Sequence, residues 1–302
     1  MREFACSTLP FDGYDLDEAF SGIAAIGFEA VEIAFIEGYT NEFSDELFNQ
    51  KSALRTRKLL GAAGLRCSAV AGHIDLSEAT AVERMTRRIQ FCSEIGASRV
   101  ITNAARISRG MEFFSNIEKL IPLVEQANVS ICLENPGNGV ENVVNDGASA
   151  VAAIKRISHP LFRINYDFAN TLSHFPDRFP AETDFEQTLP WLAQVHLKDV
   201  KRGVNNNFFF TALGEGMIDF RTIFATLLEA RSTATICLEL PLRLRRREDG
   251  SPYRREGPIA LKEISAILSR SRDFVTSGLS KSVLESKSNG ESHAAKPPDI
   301  EA

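Results

Sequence analysis

No apolar run in the 302-residue sequence approaches the ~18 consecutive residues that a membrane-spanning helix requires. The N-terminal stretch MREFACSTLPFDGYD also lacks the apolar block of a secretory signal. Together these absences predict a cytoplasmic protein with no membrane partner. Basic charge is not in excess: 34 Lys and Arg against 40 Asp and Glu give a formal net charge of −6. Such a balance repels a phosphate backbone, which argues against nucleic acid as a partner. The five cysteines form no C-x-x-C pair, and Cys6, Cys67, Cys132 and Cys237 lie within short apolar runs. That is the pattern of buried thiols rather than of disulfides or metal clips. No G-x-G-x-x-G follows the first strand-like run, where CSTLPFDGYD stands instead. This disfavours a doubly wound dinucleotide-binding sheet.

What the chain does have is a regular beat. A hydrophobic fraction of 44% and a charged fraction of 25% suffice for a full core. Eight short runs suited to strands occur at Glu3 to Thr8, Ala30 to Ala34, Arg66 to Val70, Arg99 to Thr102, Ser130 to Glu134, Arg163 to Asp167, Gln194 to Lys198 and Thr235 to Leu240. Their starts are 27, 36, 33, 31, 33, 31 and 41 residues apart, the length of a strand, a crossover helix and two loops. Helix punctuation falls between them. Asp15 and Glu18 form a capping-box pair, Leu16, Ala19, Phe20, Ile23 and Ile26 make an apolar face, and Gly27 stops it. Val82, Met85, Ile89, Cys92 and Ile95 before Gly96 repeat the design. Eight such units predict an α/β fold, a (β/α)8 barrel in a single domain over residues 1–275. Residues 276–302, rich in Ser, Lys, Glu and Pro without a usable period, are expected to form a disordered tail.

Barrels of this kind place their chemistry at the C-terminal ends of the strands. Four consecutive runs end on polar residues: Glu134 in ICLEN, Asp167 in INYDF, His196 in VHLKD and Glu239 in ICLEL. Any one of these alone reads as an ordinary strand-end polar group. Three carboxylates converging on one mouth repel unless they are protonated or a cation bridges them, and one divalent ion would remove the difficulty. Carboxylate oxygens with one imidazole suit Mn²⁺, Mg²⁺ or Co²⁺ and permit Zn²⁺. His73, just past the third run, is a substrate contact or a polar rim group. Glu32 lines the pocket or forms a structural salt bridge. Lys198, on the same strand face as His196, is an electrostatic stabiliser or a capped strand end. Phe168 and the run Phe208 to Phe210 suit packing or a lid. The loop from Arg243 to Arg247, with Arg254 and Arg255, is an anion-binding element, a solvated surface or an oligomer contact.

On the segments ICLENPG, NYDFAN, VHLKD, LGEGMIDF and LEL, over roughly residues 3 to 272, the chain resembles the xylose isomerase-like barrel superfamily of sugar phosphate isomerases and epimerases. The resemblance implies that Glu134, Asp167, His196 and Glu239 bind one divalent metal, and that Glu134 and Glu239 also act as the acid and base. It further implies that Asp199 orients the metal-binding His196 and that Arg202 binds substrate. Many relatives carry Asp-x-x-His at the sixth strand. Here Asp167-Phe168-Ala169-Asn170 stands, and Asn170 can hydrogen-bond a substrate hydroxyl but donates a proton poorly. The expected function is a metal-dependent isomerase or epimerase of a small, in some cases anionic, sugar or polyhydroxy carbonyl compound, working through an enediolate. A dehydratase of a keto-inositol or dehydroshikimate-like substrate is the runner-up, ahead of a metal-free binding barrel and an abasic-site endonuclease, which five His and a net negative charge oppose. A homo-oligomer is compatible with this reading.

Overall fold

The computed structural model describes residues 2–37, 40, 44–174, 180–204, 207–248 and 251–291, with side chains through residue 280. Eight parallel strands close into a barrel: β1 (Phe4–Ser7), β2 (Ala30–Ala34), β3 (Arg66–Ala71), β4 (Arg99–Thr102), β5 (Ser130–Glu134), β6 (Phe162–Asp167), β7 (Leu192–Leu197) and β10 (Thr235–Leu238). Each pairs with its sequence neighbour, and β10 returns to β1 in the register Ala5↔Cys237. The strand runs read from the sequence agree with these bounds within two residues.

Outside the barrel lie α1 (Leu16–Ile26), α2 (Gln50–Ala63), α3 (Ala81–Ile95), α4 (Gly110–Ala127), α5 (Gly147–Ile157), α8 (Phe220–Glu229) and α9 (Leu261–Glu291), with the shorter α6 (Phe168–His174) and α7 (Ala181–Asp184) between β6 and β7. The start of α1 is fixed as its sequence predicts: Glu18 N donates to Asp15 Oδ1 at 2.9 Å, and Asp15 N donates to Glu18 Oε2 at 3.2 Å. Gly27 ends it at φ +94°, a conformation that glycine adopts without the cost a side chain would carry. All five cysteines are free and buried. Among the described residues, no helix is long and apolar enough to cross a membrane.

Two findings refine the expected outline. Residues 199–254 contribute a second, antiparallel sheet of four strands, β8 (Asp199–Arg202), β9 (Phe208–Thr211), β11 (Leu244–Arg246) and β12 (Pro252–Arg254), in the order β12-β11-β9-β8. Because β8 follows β7 and β11 follows β10, this sheet caps the C-terminal mouth. It also explains the longest interval in the beat, between the seventh and eighth barrel strands. The second finding concerns the C-terminal helix. Helix α9 does not stop at Val275. A Cβ on Gly278 would come within 2.7 Å of the Phe224 ring, and Leu279 packs on the core. The missing glycine side chain lets the helix lie against α8, so the barrel's packed surface extends past residue 275. Residues 292–302 of the expected tail lie outside the described residues.

Within the barrel, alternation decides what each strand points inward. Ala5, Ala30, Ala69, Cys132 and Cys237 fill the lower interior with small groups. Above them the inward positions turn polar, and the candidate site begins there.

Candidate metal centre and substrate cavity

Glu134 and Asp167 are the last residues of β5 and β6, His196 is the penultimate residue of β7, and Glu239 directly follows β10. All four are at most 2% exposed, and one donor atom from each lies within 4.8 Å of the others. His196 Nδ1 is 3.0 Å from Glu134 Oε1, 3.1 Å from Glu239 Oε2 and 3.8 Å from Asp167 Oδ2. Four strand ends therefore aim at a single point, as the sequence pattern predicts.

The other ring nitrogen of His196 faces away from this point. Its Nε2 lies 2.9 Å from Glu32 Oε2, which also accepts a 2.5 Å hydrogen bond from Gln194 Nε2. Glu32 is fully buried beneath the site and does not line the cavity. The expectation that it contacts substrate is corrected by depth: Ala34, not Glu32, ends β2, so Glu32 points inward one layer lower. A carboxylate on the remote imidazole nitrogen is the usual partner of a metal-ligating histidine, because it fixes the tautomer and ring orientation. Asp199, to which that role was assigned, does something else. Its carboxylate accepts from the backbone amides of Gly214, Gly216, Val200 and Ile218 at 2.8 to 3.3 Å and so fixes the LGEGMID loop.

Lys198 continues the alternation of β7 one step beyond His196. Its Nζ is 2.5 Å from Asp167 Oδ2 and also contacts Glu239 Oε2, although neither oxygen completes a hydrogen bond of good geometry. His73 Nε2 is 2.6 Å from Glu134 Oε2. Asn170 Nδ2 bonds the Asn135 carbonyl at 3.0 Å and approaches Glu134 Oε1 at 3.4 Å. Asn135 clamps the end of β6: its Oδ1 accepts from Asp167 N at 2.9 Å and its Nδ2 donates to Asp167 O at 2.8 Å.

The protonation pattern follows from charge crowding. Burial pushes the Glu134 carboxyl up, but His196 and His73 outweigh it and hold it well below the usual carboxylate range. Glu239 is likewise raised by burial yet held at about 2 by His196 and Lys198. For Asp167 burial wins, and its carboxyl is raised despite Lys198. Burial lowers His196, but Glu239, Glu32 and Glu134 together hold it well above its ordinary value. Each shift expresses the same demand of buried carboxylates for positive charge. The donor set, the two incompletely bonded carboxylate oxygens and the carboxylate behind His196 all fit a divalent cation.

Glu134, Glu239 and Lys198 open onto a small cavity of about 70 Å³ at the barrel mouth. His73 and Asn170 line it. Arg202 does not: it is exposed on β8 with its guanidinium 5.3 Å from the centre of the Phe208 ring. The cap sheet supplies wall residues that the sequence did not single out individually, namely Phe210, Leu244 and Arg246. Leu9, Ile36, Asn103 and Asn138 complete most of the rest. Gln194 and Asn165 were also missed. Their signal was a polar residue two positions before a site residue in an otherwise apolar strand.

The fold and site thus define a (β/α)8 barrel whose mouth gathers three carboxylates and an imidazole that could hold a metal ion. The chain belongs to the xylose isomerase-like TIM barrel family, whose sequence profile matches residues 20–263. It is 25% identical over 174 residues to the L-ribulose-5-phosphate 3-epimerase UlaE of Salmonella paratyphi C (strain RKS4594), a stretch covering 55% of this chain and 58% of that protein. The match therefore spans less than two thirds of that relative. The structure of D-psicose 3-epimerase with D-tagatose from Clostridium cellulolyticum H10 is similar with a TM-score of 0.72 at 13% identity, covering 92% of this chain and 99% of that one. The probable 3-DHS dehydratase AsbF of Bacillus anthracis is similar with a TM-score of 0.65 at 16% identity, covering 91% and 98%. At these identities the two structural likenesses are likenesses of fold.

Proposed function

We propose that the protein is a divalent-metal-dependent epimerase or isomerase of a small ketose-like sugar derivative, with Glu134, Asp167, His196 and Glu239 as ligands. The observation that carries this reading is the approach of Glu134 and Glu239, from strands separated by β6 and β7, to the same His196 nitrogen at 3.0 and 3.1 Å. Two carboxylates that flank one point from different sides are what inversion at a carbon needs, one to take a proton and the other to return it. When bound, a divalent ion would polarise a substrate carbonyl and acidify the neighbouring C–H. Both glutamates are held in the ionised form that a general base requires. His73, bonded to Glu134, fixes the direction of that carboxylate and offers a route for its proton. Asn170 places an amide at the same carboxylate for a substrate hydroxyl, and Lys198 supplies positive charge where an enediolate oxygen develops.

Similarity to an L-ribulose-5-phosphate 3-epimerase supports this reading. The second reading, dehydration, starts with the same proton removal and ends with loss of the β-hydroxyl. It is favoured by His73, a further proton-bearing group beside Glu134 that could protonate a leaving hydroxyl. Ketoses, ketose phosphates and keto-acids incubated with Mn²⁺ in D₂O discriminate the two by NMR: deuterium at an inverted carbon for epimerisation, an enone for dehydration. Glu134→Gln and Glu239→Gln should each slow α-hydrogen exchange by at least about 10²-fold under saturating metal. Exchange at the wild-type rate in both variants would remove the glutamates from the mechanism.

A further inference from the structure

We propose that Arg246 makes this cavity a site for an anionic substrate, a sugar derivative bearing a carboxylate or phosphate group away from its reacting carbonyl. The proposal rests on the sugar-epimerase reading above and names the substrate class for it. Strand β11 pairs with β9 on one side and β12 on the other. Its alternation turns Leu244 and Arg246 toward the barrel mouth, where both line the cavity, and turns Arg245 away. Arg246 is only 4% exposed.

The wall against which it lies is shaped for it. A Cβ on Gly137 would sit 3.1 Å from Arg246 Nη2, 2.6 Å from Asn170 Oδ1 and 2.7 Å from Ser173 Oγ. Only glycine at 137 leaves these groups room to converge. Asn170 in turn reaches Glu134 Oε1 at 3.4 Å. The guanidinium therefore stands one side chain away from a proposed acid/base residue, in the same cavity.

The neighbouring arginines are directed elsewhere. Arg243 pairs with Asp12 at 3.0 Å, Arg245 lies over Phe209, Arg247 over Tyr253 and Arg202 over Phe208. Among the described residues, Arg246 is the arginine that lines the cavity. A planar guanidinium in a partly dry site binds a carboxylate or phosphate through two parallel hydrogen bonds, and its charge favours such a ligand over a neutral sugar.

The test is calorimetric binding to the Mn²⁺-loaded full chain. The probes are a ketopentose 5-phosphate, a ketohexuronate and neutral D-fructose, each titrated into wild type, Arg246→Gln and Arg202→Gln. At least one anionic probe should bind wild type tenfold or more tightly than fructose. It should lose about tenfold or more in Arg246→Gln, the scale of one charge-assisted hydrogen bond, and nothing in Arg202→Gln. Whether phosphate or carboxylate shows this dependence identifies the group. Equal binding of anionic and neutral probes to wild type, or an equal loss for both in Arg246→Gln, overturns the proposal. Should Arg246→Gln fail to fold, Arg246→Met keeps the buried apolar stem and removes the charge, and the same selective loss is required. Arg246-dependent anion binding without α-hydrogen exchange on any probe would sink the epimerase reading and leave the anion site standing. Exchange on neutral sugars alone would do the reverse.

Discussion

Exchange of Glu32 for alanine removes the acceptor behind His196 without touching any proposed ligand. In the wild type Glu32 Oε2 lies 2.9 Å from His196 Nε2 and 2.5 Å from Gln194 Nε2, all three residues being fully buried. The alanine variant leaves two donors in the barrel interior without that partner, at a cost of roughly 1–3 kcal/mol each if no water enters. It also frees the imidazole to turn, so that Nδ1 is no longer pre-aimed between Glu134 and Glu239. Loss of such a supporting carboxylate typically weakens metal binding by about 10- to 100-fold. Glu32→Gln keeps an amide oxygen that can accept from Nε2–H and removes only the charge, so its loss should be smaller. Titration of metal-stripped protein with Mn²⁺ should therefore give affinities in the order wild type, Glu32→Gln, Glu32→Ala. Melting curves without metal separate the folding cost from the binding cost. Wild-type Mn²⁺ affinity in a folded Glu32→Ala protein would refute the assignment of Nδ1 as the ligand atom held from behind.

Lys198→Met should bind Mn²⁺ more tightly, by at least about threefold, because the ammonium shares Asp167 and Glu239 oxygens with the proposed ion. Turnover should fall in the same variant, and unchanged affinity would show that ion and ammonium do not compete. Truncation after Val275 removes Leu279 and uncovers the Phe224 ring against which Gly278 packs. At ~1 kcal/mol for the partial burial of one leucine, Tm should drop by about 2–4 °C, and an unchanged Tm would support a domain boundary at Val275.

The barrel was legible because its signal is repetitive. Apolar runs at steady intervals leave few topologies, and four consecutive runs ending on polar residues point together to the mouth. Depth was harder to read. Glu32 and Glu134 both sit in apolar strands, but Glu134 ends β5 while two residues of β2 follow Glu32, and that offset separates a residue behind the site from one in it. Motif matching misplaced Asp199 and Arg202 for a different reason. The residues after His196 leave the barrel for an antiparallel edge, where Asp199 meets four backbone amides and Arg202 meets Phe208. Arg246 could not be distinguished from its neighbours in a run of arginines. Which of them faces inward depends on pairing between β9 and β11, two segments separated by the whole of α8 and β10.

The four buried carboxylates of the interior pose a folding problem as well as a catalytic opportunity. Glu32, Glu134, Asp167 and Glu239 would each be expensive to ionise in a dry barrel, yet all four approach a His196 ring nitrogen and two meet Lys198. The compensating charges come from one strand, at the two inward positions nearest its end. The crowded carboxylates raise the proton affinity of His196 against the opposing effect of burial, so that ring and the ammonium of Lys198 together offset them. A divalent ion at the common point would take over that compensation, displacing a proton from the imidazole and loosening the hold of Lys198 on Asp167 and Glu239. The positive charge that makes the barrel foldable would then turn toward the cavity, where the proposed reaction needs it. Stability and chemistry here draw on the same few side chains because an inward-pointing period of two leaves β7 only those places in which to put them.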